Sequence, residues 1–538
     1  MNNEFRMNSS NKSRFDRGEV RSSLRQLADR TIVQIVLIVL LTTLAYVNIF
    51  KNTLVIDDQY FIQEWQVTRS WSNAGQMILG ANPDSQQGVY RPIRSLLYLV
   101  YYQVWGTNPI GYHLHSLAIH LASTVLVFFI LRHLSTLSHL RDLGFPGALL
   151  FGLHPIHTES ITYIAASMEM TGVVFMLGSF WLYMLSSPRT LASLSRSGRG
   201  SSEEKAWIPG PFQGKQARND KGMILFFFSV LFALLAFFTY EMTLTLPLLL
   251  LLYELTLGQS VTEPCPRGPL WQVVSTLQNA MKNIWPYFVA AGVFLAIRFS
   301  LGVGLSRGDY LAYSFYHTQL VMTQMWVKYI AMLFFPVTLS HNHTILPGFE
   351  AFMTPYSDLN VILRQSILDP QILFSIGVIG GVGWIGWKLR KKMPLISFAI
   401  GWFFIALLPV AYFFPQGTAF SEKYLYIASF GFVFFVGWIL GKFGKIGVIG
   451  VILISLLYGL QTYMRNQNWQ SPRVLWEYEA RTHPQSELVW YTLGVIYGKN
   501  GETDRAISAY QTALSLKPQM KEAELNLNNL LKLQKHTP

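Results

Sequence analysis

Residues Thr31 to Phe50 run for twenty positions without a charged side chain. At about 1.5 Å per helical residue, that length crosses the roughly 30 Å hydrocarbon core of a bilayer. Ten further apolar runs follow, at about residues 112–134, 143–157, 160–185, 222–240, 242–257, 284–300, 370–387, 393–413, 424–441 and 444–463. Inside lipid every backbone N–H and C=O must find a partner within the chain, so runs of this kind are expected as helices. The expectation is an all-α polytopic membrane protein with about eleven spans. Composition agrees, because 13% charged residues is about half the share in a soluble globular chain. A soluble enzyme is excluded. The single cysteine, Cys265, excludes a disulfide framework and any multi-cysteine zinc or iron–sulfur site.

The formal charge of +13 reads as orientation rather than nucleic-acid binding, since the basic residues sit in short segments between apolar runs. Residues 1–30 carry seven Lys or Arg against four Asp or Glu, and the first run is too long for a cleaved signal segment. This basic segment is expected to stay cytoplasmic. The loop Pro188–Lys221, the cluster Lys388, Arg390, Lys391 and Lys392, and the turn with Lys442 and Lys445 then fall on the same side. Residues 310–336 break that parity if they cross, so they are expected to be re-entrant or interfacial. The alternative is an ordinary span paired with a missed short one.

The opposite face collects polar residues that are costly near a membrane unless they line a cavity or find partners. The outer loop, residues 51–111, opens with Asp57 and Asp58 and contains Arg91 and Arg94. The same face receives His154, His157 and Glu159, then Glu241 after Tyr240, and finally Glu422 and Lys423. Arg91 and Arg94 are three apart, so a helix through residues 96–105 puts them on one face able to hold a phosphate or a carboxylate. Snorkelling to lipid headgroups is the alternative. His154 and His157 have the i, i+3 spacing of a shared helical face, with Glu159 close by and His341 and His343 available from the disputed segment. Pro155 interrupts the pair and no HExxH occurs, so a polar cavity is favoured over metal. Glu241 reads as a tie between loops, with a cavity role open. Gly380, Gly381 and Gly383 read as helix packing.

From residue 465 to 538 the composition changes, with nine basic and seven acidic residues and no long apolar run. Trp490, Leu493, Gly494, Tyr497, Ala506, Tyr510, Ala513 and Pro518 match the 34-residue tetratricopeptide pattern at its diagnostic spacings. One repeat cannot bury both faces alone. Residues 521–534, through Leu527 and Leu531, are expected to cap it, and residues 472–481 to supply a preceding helix. Three regions follow: a basic segment 1–30, a transmembrane domain 31–464, and an outer repeat module 465–538.

In this order the features resemble the transmembrane and tetratricopeptide-repeat proteins of the GT-C superfamily, glycosyltransferases related to protein O-mannosyltransferases. The likeness rests on Asp57-Asp58 after the first span, Arg91-Pro92, Asn108-Pro109 with Gly111-Tyr112-His113, the stretch His154 to Glu159, Glu422 to Tyr426, and the repeat tail. It covers residues 45 to 530. Departures are Lys423 where the family usually has Arg, Glu169 near a usual Asp, and a far shorter repeat array.

The resemblance implies a polyprenyl-phosphate-linked sugar as donor and a protein hydroxyl as acceptor, with a lipid or surface polysaccharide as the alternative. It also implies single-displacement, inverting chemistry on the extracytoplasmic face. Such transfer needs a base near the acceptor and cations near the leaving phosphate. Asp57 is then the base and Asp58 its assistant, with Arg91 and Lys423 as phosphate ligands and Glu422 orienting Lys423. Without the resemblance, the acidic pair reads equally as a cap on a helix or loop, and Glu422 with Lys423 as an ion pair anchoring a helix end. No covalent cofactor is implied and a divalent metal is not favoured. A bacterial inner membrane is favoured, from the compact repeat tail. The non-enzymatic alternative is a membrane scaffold that recruits secreted proteins. An enzyme needs a lipid-open groove leading to Asp57 and Asp58, and a scaffold does not.

Overall fold

The computed structural model describes residues 30–80, 89–137, 142–187, 215–258, 269–346, 349–350 and 358–536. The basic segment 1–29, most of the loop 188–221 and Cys265 lie outside the described residues.

Among the described residues, seventeen helices of ten residues or more carry the fold. In chain order they are α1 (Arg30–Lys51), α2 (Pro92–Trp105), α3 (Pro109–Leu137), α4 (Gly144–Leu153), α5 (Ile164–Ser186), α6 (Lys215–Phe237), α7 (Leu246–Thr256), α8 (Pro269–Ser300), α9 (Phe315–Phe334), α10 (Pro370–Leu389), α11 (Pro394–Ala406), α12 (Leu425–Lys442), α13 (Gly444–Asn468) and, in the tail, α14 (Pro472–Thr482), α15 (Glu487–Lys499), α16 (Thr503–Leu516) and α17 (Lys521–His536). The only sheet among the described residues is a two-stranded antiparallel hairpin of β1 (Thr344–Leu346) and β2 (Phe349–Glu350).

Among the described residues, eight helices are long and apolar enough to cross a membrane: α1, α3, α5, α6, α8, α10, α12 and α13. They account for eight of the eleven expected runs. The other three, 143–157, 242–257 and 393–413, form only the short helices α4, α7 and α11, of 10, 11 and 13 residues. At 1.5 Å per residue these reach about 15 to 20 Å. A polar or proline-containing turn ends each one: at His154-Pro155, at Glu241–Thr245 and at Leu408–Val410. The turns at two of them, His154 to His157 and Glu241 to Thr245, belong to a buried polar layer between the helices.

Helix α9 is continuous, yet both of its ends meet that same layer. Near its start, Gln319 donates to the carbonyls of Ala411 and Tyr412 at 3.4 and 3.1 Å. Near its end, Lys328 donates to the Thr344 carbonyl at 2.9 Å, and the Leu333 carbonyl lies 3.0 Å from His154 Nε2. Tyr313, Phe315, Tyr316, Phe334 and Phe335 are exposed around it. Helix α9 is not among the eight helices that meet the length and hydropathy of a span.

Small residues set the close crossings. A Cβ on Gly431 of α12 would lie 2.4 Å from the Ala399 carbonyl oxygen of α11, and one on Gly152 2.5 Å from Thr42 Oγ1 of α1. Asparagines join the ends of the first and last long helices. Asn48 donates to the Tyr463 carbonyl at 2.7 Å and Asn466 to the Ala45 carbonyl at 3.0 Å, while Thr162 donates to Asn466 Oδ1 at 2.7 Å. These bonds satisfy backbone carbonyls where the helices stop, and they set the acidic loop beside the repeat module.

In the tail, Gly494 is required because a Cβ there would lie 2.5 Å from the Tyr510 ring. Leu493, Ala506, Tyr510 and Ala513 are buried between α15 and α16. The capping and preceding helices form as α17 and α14. From α17, Leu527 and Leu530 pack on the repeat, where Leu527 and Leu531 were expected.

Candidate functional site

Asp57 and Asp58 follow Ile56, whose φ of +50° is a left-handed conformation rare for a β-branched residue. The two acids point to different surroundings. Asp58 is fully buried and accepts the backbone N–H of Ala165 at 2.7 Å and of Val55 at 3.3 Å, which ties the loop to the first turn of α5. Burial pushes its carboxyl well above the usual carboxylate range, against those donors. Asp57 is exposed and receives a hydrogen bond from the Tyr163 hydroxyl. Tyr163 in turn stacks on Trp469 at 5.7 Å and meets the edge of His341 at 6.2 Å.

Pro92 starts α2, so Arg91 sits at its N-cap and Arg94 lies one turn in. Both reach Glu169 of α5: Arg91 through a short contact, Arg94 at 3.4 Å. Glu169 also faces Lys423 Nζ at 3.5 Å. Arg91 makes a bidentate pair with Glu241 at 2.5 and 2.9 Å, and Arg307 closes on the same carboxylate. Burial and the neighbouring Arg91 pull the Arg307 guanidinium down to about 9. Arg91, Arg94, Arg307 and Lys423 therefore surround two carboxylates, a surplus of two positive charges. Long loops bring these groups together from α2, α5, the turn after α6, residues 301–314 and the start of α12.

Glu159 bridges this cluster to His341, whose ring meets the Tyr163 ring. It accepts Ser421 Oγ at 3.1 Å and the Lys423 N–H at 3.2 Å, and it pairs with His341 Nδ1 at 3.3 Å. Burial alone would push its carboxyl up, but the His341 hydrogen bond and the charge of Lys423 hold it below the usual range.

Glu422 and Lys423 are neither paired with each other nor aimed at one ligand. Glu422 turns away into a buried pocket, accepting the Ser340 N–H at 2.6 Å, facing His343 at 2.9 Å and pairing with Arg465 at 2.7 Å. The 3-10 turn Glu422–Tyr424 separates the two directions. The expectation that Glu422 orients Lys423 is therefore corrected: Glu159, through the Lys423 N–H, and Glu169, through its ammonium group, hold that residue.

His154 and His157 do not share a helical face. His154 is extended ahead of the 3-10 turn Pro155–His157, because Pro155 cannot donate the N–H that a continuous helix needs. The two rings serve the core. His154 faces the Leu333 carbonyl and His157 the Ser429 hydroxyl at 2.9 Å. Glu159, His341 and His343 turn instead to the polar layer. Among the described residues, no three His, Cys, Asp or Glu are grouped so as to hold a metal ion.

Residues of the candidate site that lay outside the candidates read from the sequence include Arg307, Arg465, Glu479 and Tyr163, and Glu169 was noted only as a departure from the family. Arg465 closes the last long helix and Arg307 sits in an undistinguished loop, so only their rarity near apolar runs marks them. Glu479 of α14 is buried. It accepts the Ser340 hydroxyl at 2.5 Å and the N–H groups of His341 at 2.8 Å and Asn342 at 3.3 Å. Burial opposes its charge, yet His483, Ser340 and His341 hold it down to about 2. The repeat module is thereby bonded to the loop that carries His341.

A groove of about 440 Å³ opens between α9 and α10, lined by Gln324, Lys328, Ala331, Gln371 and Phe374 among others. It leads to Lys328 rather than to the acidic pair.

The tetratricopeptide-repeat family model matches residues 488–520. Over 434 residues, 80% of this chain and 54% of the other, the chain is 22% identical to a protein O-mannosyl-transferase, F38B6.6, of Caenorhabditis elegans. It is 22% identical to human TMTC3 over 82% of this chain and 46% of that protein, and 23% identical to human TMTC1 over 82% and 49%, both named protein O-mannosyl-transferases. The chain resembles the protein O-mannosyl-transferases of this type. It spans about half the length of the curated relatives it matches. No solved structure matches it.

Proposed function

We propose that this membrane protein transfers a sugar, mannose by the names of its relatives, from a polyprenyl-phosphate carrier to a hydroxyl of a protein acceptor. The observation that carries the reading is the surplus of cations at Arg91, Arg94, Arg307 and Lys423, linked through Glu169, Glu159, His341 and Tyr163 to the exposed Asp57. The acceptor oxygen attacks the anomeric carbon while the bond from that carbon to the phosphate oxygen breaks. Asp57 takes the hydroxyl proton, and the cations hold the departing polyprenyl phosphate. A single displacement inverts the anomeric centre. Asp58, buried and bonded to Ala165, positions the loop.

The active face is extracytoplasmic in this reading, since the basic loops belong to the other side. The membrane in this reading is a bacterial inner membrane, although the relatives above are animal proteins. The repeat module guides the acceptor. No cofactor or metal is invoked, and the lipid-linked sugar is a substrate. The second reading is a scaffold in which the acidic pair only shapes a loop.

One assay separates the two. Protein in nanodiscs is given labelled polyprenyl-phosphate mannose and acceptor extract. Transfer that is lost in Asp57→Asn, with the fold retained, supports the enzyme; no transfer by the native protein to verified acceptor supports the scaffold.

A further inference from the structure

Tyr240 and Glu241 stand where the cation cluster is most crowded. Tyr240 is extended and Glu241 begins the following 3-10 turn, so the two side chains enter the cluster from one strand of backbone. The Glu241 carboxylate offers Arg91 and Arg307 two acceptor oxygens, the same fork that a phosphate presents to guanidinium groups. The Tyr240 ring lies under the Arg91 guanidinium at 5.2 Å. Glu169, Arg91 and Arg307 are near enough for their charges to act on its hydroxyl. Tyr240 is 2% exposed, and the hydroxyl has no hydrogen-bond partner among the described residues. Buried hydroxyls are nearly always paired, so an orphan aimed into a cationic cluster points to a ligand that accepts a hydrogen bond there.

We propose that Tyr240 and Glu241 set the selection of the donor's phosphate: Glu241 occupies the Arg91–Arg307 fork as an exchangeable anion, and Tyr240 donates a hydrogen bond from its hydroxyl to the phosphate that displaces it. The inference rests on the reading of a polyprenyl-phosphate donor. It makes phosphate binding a competition. The surplus of two positive charges rises to three when Glu241 is neutralised, and the fork is then open to the phosphate. Glu241 therefore weakens product retention, which favours release of the polyprenyl phosphate after transfer.

The test measures binding of a short-chain polyprenyl phosphate, and of the corresponding polyprenol, to the full chain in nanodiscs. The native protein is expected to prefer the phosphate. Glu241→Gln is expected to bind the phosphate about tenfold tighter, and Tyr240→Phe about tenfold weaker, the effect of one charge-assisted hydrogen bond. Polyprenol binding should stay unchanged in both. Tyr240→Phe leaves the charge balance intact, so it still tests the idea if Glu241→Gln unfolds. If the native protein prefers the phosphate but Tyr240→Phe binds it as tightly, or folded Glu241→Gln binds it no tighter, the proposal is overturned and the donor reading stands. If the native protein does not distinguish phosphate from polyprenol, the donor reading fails and the proposal falls with it.

Discussion

Replacing Glu479 by Gln should loosen the repeat module from the membrane domain, with a dependence on pH that identifies the cause. The carboxylate accepts the Ser340 hydroxyl and the N–H groups of His341 and Asn342, and it lies 3.5 Å from His483. It is buried, so solvent screens these bonds little. Its pKa falls from 4.5 to about 2, which corresponds to on the order of 3 kcal/mol. A carboxyl depressed by folding contributes its stability fully above its unfolded value. That contribution is lost as pH falls through the folded one. The native protein should therefore exceed Glu479→Gln in thermal stability by a constant margin from pH 5 upward, and the margin should shrink from about pH 4.5 towards pH 2. Glutamine can accept through one oxygen only: with that oxygen toward Ser340 and Asn342 it turns an NH₂ toward the His341 N–H, which is why it does not replace the carboxylate. Transfer should fall as well, because the same loop sets His341 against Glu159 and so places Lys423. A margin that stays the same from pH 6 to pH 3, or no margin at pH 7, would refute the argument.

Four further outcomes are expected. Asp57→Asn should lower transfer at least a hundredfold without loss of thermal stability, since its side chain is exposed. Asp58→Asn should instead destabilise by about 1 to 3 kcal/mol, measured by thermal unfolding, because one of its two backbone donors, Val55 or Ala165, loses its acceptor. Gly494→Val should open residues 487–516 to protease while the membrane helices persist, since its Cβ would lie 2.5 Å from the Tyr510 ring and overpacking costs about 1 to 3 kcal/mol. Chelator should leave transfer unchanged, and a loss restored by a divalent ion would sink the metal-free mechanism.

Helix content, the repeat and most of the charged layer could be read from spacing alone. Gly494 and Tyr510 sit where the repeat pattern requires, because two antiparallel helices at close range permit few residue types. Helix ends were less legible. His154-Pro155 and Glu241–Thr245 lie within or beside apolar runs, and hydropathy alone does not show that a proline or a buried ion pair shortens the helix there.

The chain's apolar runs determine that it lives in a membrane as helices, since unpaired backbone groups are intolerable in lipid. The repeat pattern likewise determines a helical tail. Partnership was decided in three dimensions. Glu422 and Lys423 are neighbours in sequence yet face Arg465 and Glu169 respectively. Arg91 finds Glu241 across 150 positions, and Ser340 finds Glu479 across 139. A buried charge takes whichever opposite charge the packing brings within reach, and packing between distant helices leaves no local trace in the order of residues.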